Sequence, residues 1–162
     1  MTPELRVGVG VDAHALAPGV PLVLGGIEIA SPRGLAGHSD GDVIAHALID
    51  ALLGAANLGD IGALFPSGDA SFEGASSLDL LRTAYGQVRA AGWELLNADC
   101  VLIGEEPRIA GLRLEMAARL ASALGVDPDR VAVRATTTDR LGFTGRGEGL
   151  AAQAVALLRR AG

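Results

Sequence analysis

Apolar residues alternate with glycines and polar residues over residues 5–14, which predicts a half-buried β-strand. Asp12 and His14 lie near the end of this strand, on the same side as Gly8 and Gly10. The alternation argues against a dinucleotide-binding fingerprint in GVGVD, because both glycines fall inside the strand and the third glycine of G-x-G-x-x-G is missing. The first element should therefore present two neighbouring polar side chains at one end.

Turn-forming residues divide the rest of the chain into further elements. The strongest is an apolar helix that begins at Asp40 or Asp42 and ends near Asn57. Residues 59–75 are polar and rich in glycine, and we expect them to form a mobile functional loop. Residues 149–158 fit either a helix or a strand buried on both faces. The remaining expected elements are a hairpin over residues 21–29 around Gly25 and Gly26, a loop over 31–42, a helix capped by Ser76 and ended by Gly92, a strand over 93–103, a helix over 108–124 ended by Gly125, and a strand over 131–137.

The length and composition of the chain favour a single folded domain that binds a small molecule or another protein. The 162 residues suit one domain, which we place at residues 1–162. Apolar residues make up 49% of the chain and charged residues 20%, so intrinsic disorder is excluded. We expect part of this apolar surplus to cover subunit interfaces. The net charge of −6 argues against nucleic acid or an anionic membrane as the main partner.

The cysteine content and the apolar runs indicate where the protein works. Cys100 is the single cysteine, so an internal disulfide and a cysteine-rich zinc ribbon are excluded. The first residues lack the basic region and the apolar stretch of a secretory signal, and no apolar run is long enough to span a bilayer. We therefore expect a cytoplasmic protein.

The histidines all lie within the first 46 residues, close to aspartates. In the predicted helix, Asp42, His46 and Asp50 recur every four residues and share an arc of about 80°. The other helix positions are apolar, so this polar stripe should be buried and should need partners. Asp12 and His14 could complete a metal site with His46 that leaves one coordination position open. The alternative is a core histidine that pairs with Asp42 or Asp50.

Two further polar segments could contact a ligand. His38 lies in a glycine-flanked loop, where it could orient a ligand by hydrogen bonds or could merely be exposed. Residues 134–149 place threonine hydroxyls, arginines and Asp139 in a glycine-rich strand-to-loop turn. These groups suit phosphate oxygens, and Asp139 could hold a magnesium ion between them. The alternative for this segment is an ordinary polar turn.

Six segments along nearly the whole chain stand in the order and spacing of one enzyme family. They are GVGVDAH, GHSDGDVIAH, DALLGA, GDIGALFP, EEPRI and ATTTDRLGFTGRGEG. In these segments the chain resembles the 2-C-methyl-D-erythritol 2,4-cyclodiphosphate synthases of the non-mevalonate isoprenoid pathway. The resemblance implies an α/β (α+β) fold, a four-stranded mixed sheet backed by helices, in which the last segment is a strand. It also implies a homotrimer with active sites between neighbouring subunits.

The resemblance implies two metal sites. Asp12, His14 and His46 match the residues that hold zinc, or another divalent metal, on the β-phosphate of the substrate, with Asp50 behind them. Mg²⁺ or Mn²⁺ would bridge the substrate diphosphate beside Asp139. Family members usually carry glutamate at this last position, so the shorter aspartate is a departure from the family pattern.

The resemblance also implies the residues that contact the substrate. His38 and Thr137 match the residues that stabilise the transition state, and Arg146 and Glu148 resemble residues at the mouth of a cavity on the trimer axis. Arg108 stands where the family usually has lysine. The substrate-binding set implied by the resemblance, with the nucleotide part supplied by the adjacent subunit, is Ser39, Asp60, Ile61, Gly62, Phe65, Pro66, Ser67, Gly68, Asp69, Gly104, Glu105, Glu106, Pro107, Arg108, Ile109, Ala110, Ala135, Thr136, Thr138, Phe143 and Arg146.

The implied reaction converts 4-diphosphocytidyl-2-C-methyl-D-erythritol 2-phosphate to 2-C-methyl-D-erythritol 2,4-cyclodiphosphate and CMP. The 2-phosphate attacks the β-phosphorus, and no base is needed because the nucleophile is already ionised. Two alternatives are a metal-dependent phosphohydrolase and a non-catalytic trimeric module that binds nucleotides or isoprenoid phosphates. The products formed from the substrate distinguish the three.

Overall fold

Strands form the centre of this protein, whose computed structural model describes residue 2 and residues 4–162. The strands are β1 (Leu5–Pro18), β2 (Leu22–Leu24), β3 (Ile27–Ile29), β4 (Arg33–Leu35), β5 (Trp93–Ile103), β6 (Val131–Thr136) and β7 (Gly149–Arg160). β2 and β3 form the predicted hairpin. The other five make one mixed sheet in the order β4-β1-β7-β5-β6, in which β5 and β6 run parallel and the remaining neighbours are antiparallel.

Helices cover one face of the larger sheet. They are α1 (Val43–Ala55), α2 (Ile61–Leu64), α3 (Ser77–Ala90), α4 (Arg113–Leu124) and α5 (Gly142–Gly145), with short 3₁₀ turns at Ala70–Phe72 and Pro128–Arg130. α1 packs across β1 and β7, α3 packs on α1, and α4 packs on β6. Among the residues that the structure describes, every helix is too short or too polar to cross a lipid bilayer.

The larger sheet has five strands, which corrects both the expected four-stranded sheet and the expected loop over residues 31–42. β1 pairs with β7 only as far as Ala15, and it continues for three more residues. Its last residues, from Leu16 to Pro18, pair with β4 instead. This pairing satisfies backbone groups that would otherwise be exposed at the sheet edge. The glycine and proline signals indicated a loop because they carry no information about a partner strand elsewhere in the chain.

Two of the predicted helix boundaries were too wide. α1 ends at Ala55 rather than near Asn57. α4 begins at Arg113 rather than at residue 108, because the Leu112 N–H closes a separate turn on the Ile109 carbonyl. The Arg108–Leu112 part of the predicted helix is therefore a turn that precedes it.

The first turn of α3 is capped differently from the prediction. Ser76 precedes this helix, as predicted, but its side chain makes no capping hydrogen bond. The Asp40 carboxylate instead accepts a hydrogen bond from the Ser77 backbone N–H at 2.9 Å. A residue from the segment before α1 thus satisfies one of the free N–H groups at the start of α3.

The last segment, which the residue pattern left undecided, is the strand β7, as the family resemblance implied. It lies between β1 and β5 and pairs with both along most of its length. Because neighbours flank β7 on both edges and helices cover one face, its small alanines and Leu158 are mostly buried. Residues 59–75, by contrast, contain α2 and one 3₁₀ turn and have no buried side chain. Their mobility stays a prediction.

The two sides of β1 differ in burial, and the glycine side is the buried one. Gly8 and Gly10 are buried against α1. The valines of the opposite side are open to solvent in the single chain, with 69%, 59% and 62% of Val7, Val9 and Val11 exposed. β1 is therefore half-buried, as predicted, but its apolar side faces away from the helices.

Gly8 and Gly10 allow β1 to approach α1 closely. A Cβ atom on Gly10 would lie 1.9 Å from the carbonyl oxygen of Ala47, and one on Gly8 would lie 2.1 Å from that of Ala51. Both distances are far inside van der Waals contact, so only glycine fits at these two positions. The side chains that follow Gly10 on β1 are thereby held against the surface of α1.

Asp42 joins the start of α1 to the β2–β3 hairpin. Its buried carboxylate accepts hydrogen bonds from the backbone N–H groups of Gly25 at 3.0 Å, Gly26 at 2.7 Å and Ala45 at 3.1 Å. The last of these caps the helix. Burial raises the pKa of Asp42 to about 6, even though the three N–H groups favour the charged form.

Gly10→Ala should separate β1 from α1. The new methyl group cannot fit beside the Ala47 carbonyl, so we expect the free energy of unfolding to fall by about 2 kcal/mol or more, measured in urea. Gly86→Ala is the matched control, because a Cβ at this exposed α3 position meets no atom within 4 Å. This control should gain about 0.5–1 kcal/mol. Equal stability of the two variants would contradict the close contact.

Asp42 should make folding less favourable as the pH rises from 4 to 7. The folded carboxyl keeps its proton up to about pH 6, whereas the unfolded one loses it near the ordinary value of 3.8. Since the unfolded state binds fewer protons in this range, the free energy of unfolding should fall by about 2 kcal/mol through this group. Asp42→Asn removes that contribution, so the wild type should lose stability more steeply than the variant. Parallel pH profiles at equal protein concentration would show that Asp42 titrates normally.

Candidate metal centre and active site

Three predicted ligand side chains meet where the end of β1 packs on α1. The His14 Nε2 atom lies 2.9 Å from Asp12 Oδ2, and the His46 Nδ1 atom lies 3.1 Å from the same oxygen. The two histidine nitrogens are 3.3 Å apart. One ligand atom from each residue therefore faces a common point, as the sequence predicted. His46 pairs with neither Asp42 nor Asp50, which were its partners in the alternative interpretation.

This triangle fits a tetrahedral zinc ion. Zinc lies about 2.0–2.1 Å from nitrogen and carboxylate ligands, so two ligands of a tetrahedral site are about 3.3 Å apart. The three observed distances, from 2.9 to 3.3 Å, are close to that value and need only a small expansion around an ion. Two imidazoles and one carboxylate also form a ligand set that zinc uses in catalytic sites, where the fourth position is open.

The charges within the triangle favour an ionised Asp12. Burial raises the pKa of Asp12, but hydrogen bonds from His14 and His46 outweigh it and lower the value to about 2. The hydrogen bond to Asp12 raises the pKa of His14 above its ordinary value, although burial opposes this. A half-buried carboxylate that stays charged is a suitable ligand for a cation.

The opposite edge of the His46 ring faces two hydroxyl groups. Its Nε2 atom lies 2.8 Å from Ser77 Oγ and 3.0 Å from Ser39 Oγ. Asp40 in turn accepts a hydrogen bond from the Ser77 hydroxyl. The sequence did not predict the contact between Asp40 and Ser77. It indicated Asp40 only as a possible first residue of α1, and it predicted Ser76 rather than Ser77 as the cap of α3. The two residues are far apart in the sequence, so no local pattern could have predicted their contact.

Asp50 anchors the segment that follows α1 rather than contacting a metal ligand directly. Its Oδ1 atom accepts a hydrogen bond from the Ile61 N–H at 2.7 Å. Asp60 caps α2 by accepting from the Ala63 N–H at 2.8 Å. Partial burial raises the pKa of Asp50. The predicted role of Asp50 behind the metal ligands stays a prediction.

A cavity of about 420 Å³ opens above the ligand triangle. His38 lies on its wall and its Nε2 atom makes a hydrogen bond of 2.9 Å with the Asp69 carbonyl. Phe72 and Leu80 add apolar surface. The predicted binding residues that line the same cavity are Ser39, Ile61, Gly62, Phe65, Pro66, Ser67 and Gly68.

Apart from Asp50, Asp60 and Asp69, the remaining predicted residues form a second group that does not line this cavity. They lie at or after the ends of β5 and β6, and Glu105, Glu106, Arg108 and Arg146 surround a separate cavity of about 370 Å³. Arg146 also forms an ion pair with Glu148. The other members of this group are Gly104, Pro107, Ile109, Ala110, Ala135, Thr136, Thr137, Thr138, Asp139 and Phe143.

Within this second group, a tight turn sets the position of Asp139. The Thr137 hydroxyl lies 3.4 Å from the Asp139 carboxylate, and Asp139 adopts a left-handed backbone conformation with φ of 52°. The Arg140 N–H donates a hydrogen bond to Glu105, which joins this turn to the segment after β5. Thr137 and Asp139 are both exposed, so they are free to meet a ligand.

The two groups are separated across the sheet within one chain. His14 on β1 pairs with β7, β7 pairs with β5 at Ile103, and Ile103 pairs with Thr136 on β6. Three strand spacings make this separation about 14 Å. The structure therefore places the ligand triangle and residues 61–68 around one cavity, and it leaves the second group apart from them.

Comparisons with known proteins agree with this geometry. Residues 5–159 match the model of the YgbB family. A 2-C-methyl-D-erythritol 2,4-cyclodiphosphate synthase from Moorella thermoacetica is 56% identical over 95% of this chain and 94% of its own length. The structure of IspF from Plasmodium falciparum, a complex with CDP, is similar with a TM-score of 0.86 and 28% identity, covering both chains completely.

A longer protein contains a similar unit. The bifunctional IspDF from Campylobacter jejuni matches with a TM-score of 0.94 and 43% identity over 98% of this chain. This chain spans 43% of that protein, whereas it covers nearly the whole length of the Moorella relative. The match therefore concerns one part of the bifunctional protein.

His46→Ala should remove the metal from the purified protein. The substitution deletes one of the three side chains that face the common point, so we expect less than about a tenth of the wild-type metal content. His38→Ala is the matched control, because His38 lies in the same cavity but bonds the Asp69 carbonyl and is outside the triangle. Elemental analysis after gel filtration measures both. Unchanged metal in His46→Ala would exclude this residue as a ligand.

Proposed function

The chain belongs to the YgbB family of 2-C-methyl-D-erythritol 2,4-cyclodiphosphate synthases, and from this membership we propose how its own residues carry out the reaction. The protein is an enzyme, a phosphorus–oxygen lyase of isoprenoid biosynthesis. It converts 4-diphosphocytidyl-2-C-methyl-D-erythritol 2-phosphate to the 2,4-cyclodiphosphate and releases CMP. Our proposal concerns the metals, the residues and the assembly that this activity uses.

Asp12, His14 and His46 hold a divalent cation, with zinc as the proposed metal. The mutual distances in the triangle support this assignment most directly. When bound, such a cation would neutralise negative charge on the β-phosphate of the substrate. Asp12 would contribute the one negative ligand, so a divalent cation held here would keep a net positive charge that suits a phosphate oxygen.

Residues 59–69 bind the methylerythritol phosphate part of the substrate. Asp60, Ile61 and Gly62 present the start of α2, and the Phe65–Asp69 stretch covers the cavity. His38 holds this cover through the Asp69 carbonyl, and it can turn its ring N–H to a phosphate oxygen when substrate enters. Excluding water from the cavity strengthens each of these polar contacts.

The second group binds the cytidine diphosphate part. The backbone of residues 104–110 and of residues 135–138 contacts the nucleotide, while Arg108 neutralises a phosphate and Phe143 and Arg146 border the pocket. Thr137 donates a hydrogen bond from its hydroxyl to the diphosphate in the transition state. Asp139 holds Mg²⁺ or Mn²⁺ on the diphosphate, either directly or through a water molecule. The CDP bound to the Plasmodium falciparum relative supports a nucleotide pocket in this fold.

The chemical step needs the two reacting phosphate groups to be positioned and their charge to be neutralised, and it needs no nucleophile from the protein. An oxygen of the 2-phosphate forms a bond to the β-phosphorus, and the bond from that phosphorus to the CMP oxygen breaks. CMP leaves with the electron pair. His38 and Thr137 donate hydrogen bonds to the oxygens on which charge increases.

We propose a homotrimer in which each site takes its metal half from one subunit and its nucleotide half from the next. The separation of the two groups within a single chain supports this arrangement. The exposed apolar side of β1 supports it as well, since Val9 pairs with the exposed Val155 of β7 and the two strands form one uncovered apolar face. Monomeric proteins rarely expose such faces. The proposal includes one domain over residues 1–162 and a cytoplasmic location.

Phosphorus NMR of the reaction tests the function. We expect the purified protein with Zn²⁺ and Mg²⁺ to form the cyclic diphosphate and CMP in equal amounts, and His46→Ala to form neither. Orthophosphate or an open-chain diphosphate would indicate a phosphohydrolase. Unchanged substrate that nevertheless binds would indicate a binding module, and either result would contradict the proposal.

Complementation between two inactive variants tests the shared site. One variant lacks the metal half (Asp12→Ala, His14→Ala) and the other lacks the nucleotide half (Thr137→Val, Asp139→Ala). If each site combines neighbouring subunits around a closed ring, random assembly at equal ratio restores one half times one half, or about 25%, of wild-type sites. Activity should therefore approach about a quarter of the wild-type value after co-expression.

The control for complementation is a mixture of the two variants purified separately. Their preformed trimers should stay inactive when they are mixed, because a large apolar interface exchanges slowly. Inactivity of co-expressed trimers that demonstrably contain both variants would place each complete site within a single chain.

A further inference from the structure

His46 has two ring nitrogens, and each faces a different set of partners. Nδ1 faces Asp12 Oδ2 at 3.1 Å and His14 Nε2 at 3.3 Å, on the side of the ligand triangle. Nε2 faces the hydroxyl of Ser77 at 2.8 Å. A neutral imidazole carries one N–H, so Nδ1 can bind a cation only when the hydrogen is on Nε2. The group beside Nε2 therefore decides whether His46 can serve as a ligand.

The Ser77 hydroxyl is arranged to accept a hydrogen bond from His46. Asp40 Oδ1 accepts the hydroxyl hydrogen of Ser77, and Asp40 Oδ2 accepts the Ser77 backbone N–H at 2.9 Å. A hydroxyl has one hydrogen, and this one is directed to a carboxylate. The lone pairs of Ser77 Oγ are then left for the Nε2–H of His46. Ser77 is completely buried, so water does not compete for these bonds.

We propose that Asp40 and Ser77 form a hydrogen-bonded chain that positions His46 with Nδ1 directed to the metal, so that Ser77 is a positioning residue for the metal centre. This inference rests on the metal site of the proposed function. The chain runs from the carboxylate through the hydroxyl to the ring, and it fixes both the tautomer and the angle of the imidazole. Mutation of such a hydrogen-bond partner of a metal ligand typically weakens metal binding by about tenfold to a hundredfold.

Ser39 does not replace Ser77 in this chain. Its hydroxyl lies 3.0 Å from the same Nε2 atom, but it is only half-buried and lies on the wall of the cavity above the metal ligands. Its other contact is a long one, 3.4 Å from the Gly41 N–H. Nothing in these contacts directs the Ser39 hydrogen away from His46, whereas Asp40 does so for Ser77.

The Zn²⁺ affinity of the metal-free protein, measured by competition with a chromophoric chelator, tests the chain. We expect Ser77→Ala to raise the zinc dissociation constant by about tenfold to a hundredfold. Ser76→Ala is the matched control, because the neighbouring serine is exposed and its side chain makes no capping hydrogen bond. It should bind zinc as the wild type does. Equal affinity of Ser77→Ala and the wild type would overturn the proposal.

A double-mutant cycle distinguishes a chain from two separate effects. Asp40→Asn removes the charged acceptor and should weaken zinc binding by about threefold to tenfold. Adding Asp40→Asn to Ser77→Ala should cause little further loss, since Asp40 acts on His46 only through Ser77. Additive losses would overturn the chain. If Ser77→Ala does not fold, as judged by circular dichroism, Asp40→Asn decides alone, and unchanged affinity overturns the proposal.

The His46 ring gives a second readout that a merely structural role would not change. In ¹⁵N NMR of the zinc-loaded wild type, we expect His46 to show a protonated Nε2 that exchanges slowly with solvent. Ser77→Ala should lose that slow exchange while Ser76→Ala keeps it. A zinc-loaded wild type without a protonated Nε2 would overturn the assignment. A protein that passes these tests but forms no cyclic diphosphate would contradict the proposed function alone, because no step here depends on turnover.

Discussion

The close contact between β1 and α1 is the constraint on which the metal centre depends. Gly8 and Gly10 let the strand approach the helix backbone, and the next two residues on the same side of β1 are Asp12 and His14. His46, which directly precedes Ala47 at the end of this contact, then lies within 3.3 Å of both. A shift of even 1 Å between the two elements would take the three ligand atoms beyond the spacing of a tetrahedral site. The close packing of Gly8 and Gly10 on α1 therefore sets the positions of the three ligand atoms as well as contributing to the stability of the fold.

The polar stripe of α1 shows how an otherwise buried helix carries charge. Asp42 caps the helix and holds the hairpin, His46 faces the ligand triangle, and Asp50 binds the backbone of the following segment. Each group has hydrogen-bond partners, and the described residues include no buried side-chain nitrogen or oxygen atom without one. Burying such groups without partners would cost several kcal/mol, so the stripe persists only because other elements supply the complementary groups.

The separation of the two residue groups and the exposed valine side of β1 are both accounted for by the proposed trimer. In the proposed arrangement, the ligand triangle and the second group, separated across three strand spacings, leave each chain with an incomplete site. Within the part of the chain that the structure describes, nothing covers the valine side of β1, which agrees with the surplus of apolar residues in the composition. An assembly that covers this face could also bring the two halves together, so stability and activity would have a common origin.

The sequence by itself determined the elements whose signals are local. The boundaries of β5, the glycine at the end of α4 and a start of α1 at Asp40 or Asp42 follow from periodicity and capping residues, and the D-x-H spacing with His46 indicated the metal ligands. Only the tertiary structure decided which side of β1 is buried, the pairing that makes β4 a strand, and the contact of Asp40 with Ser77. Each of these depends on how closely elements distant in the sequence approach one another, and the pattern along a single chain contains no measure of that distance.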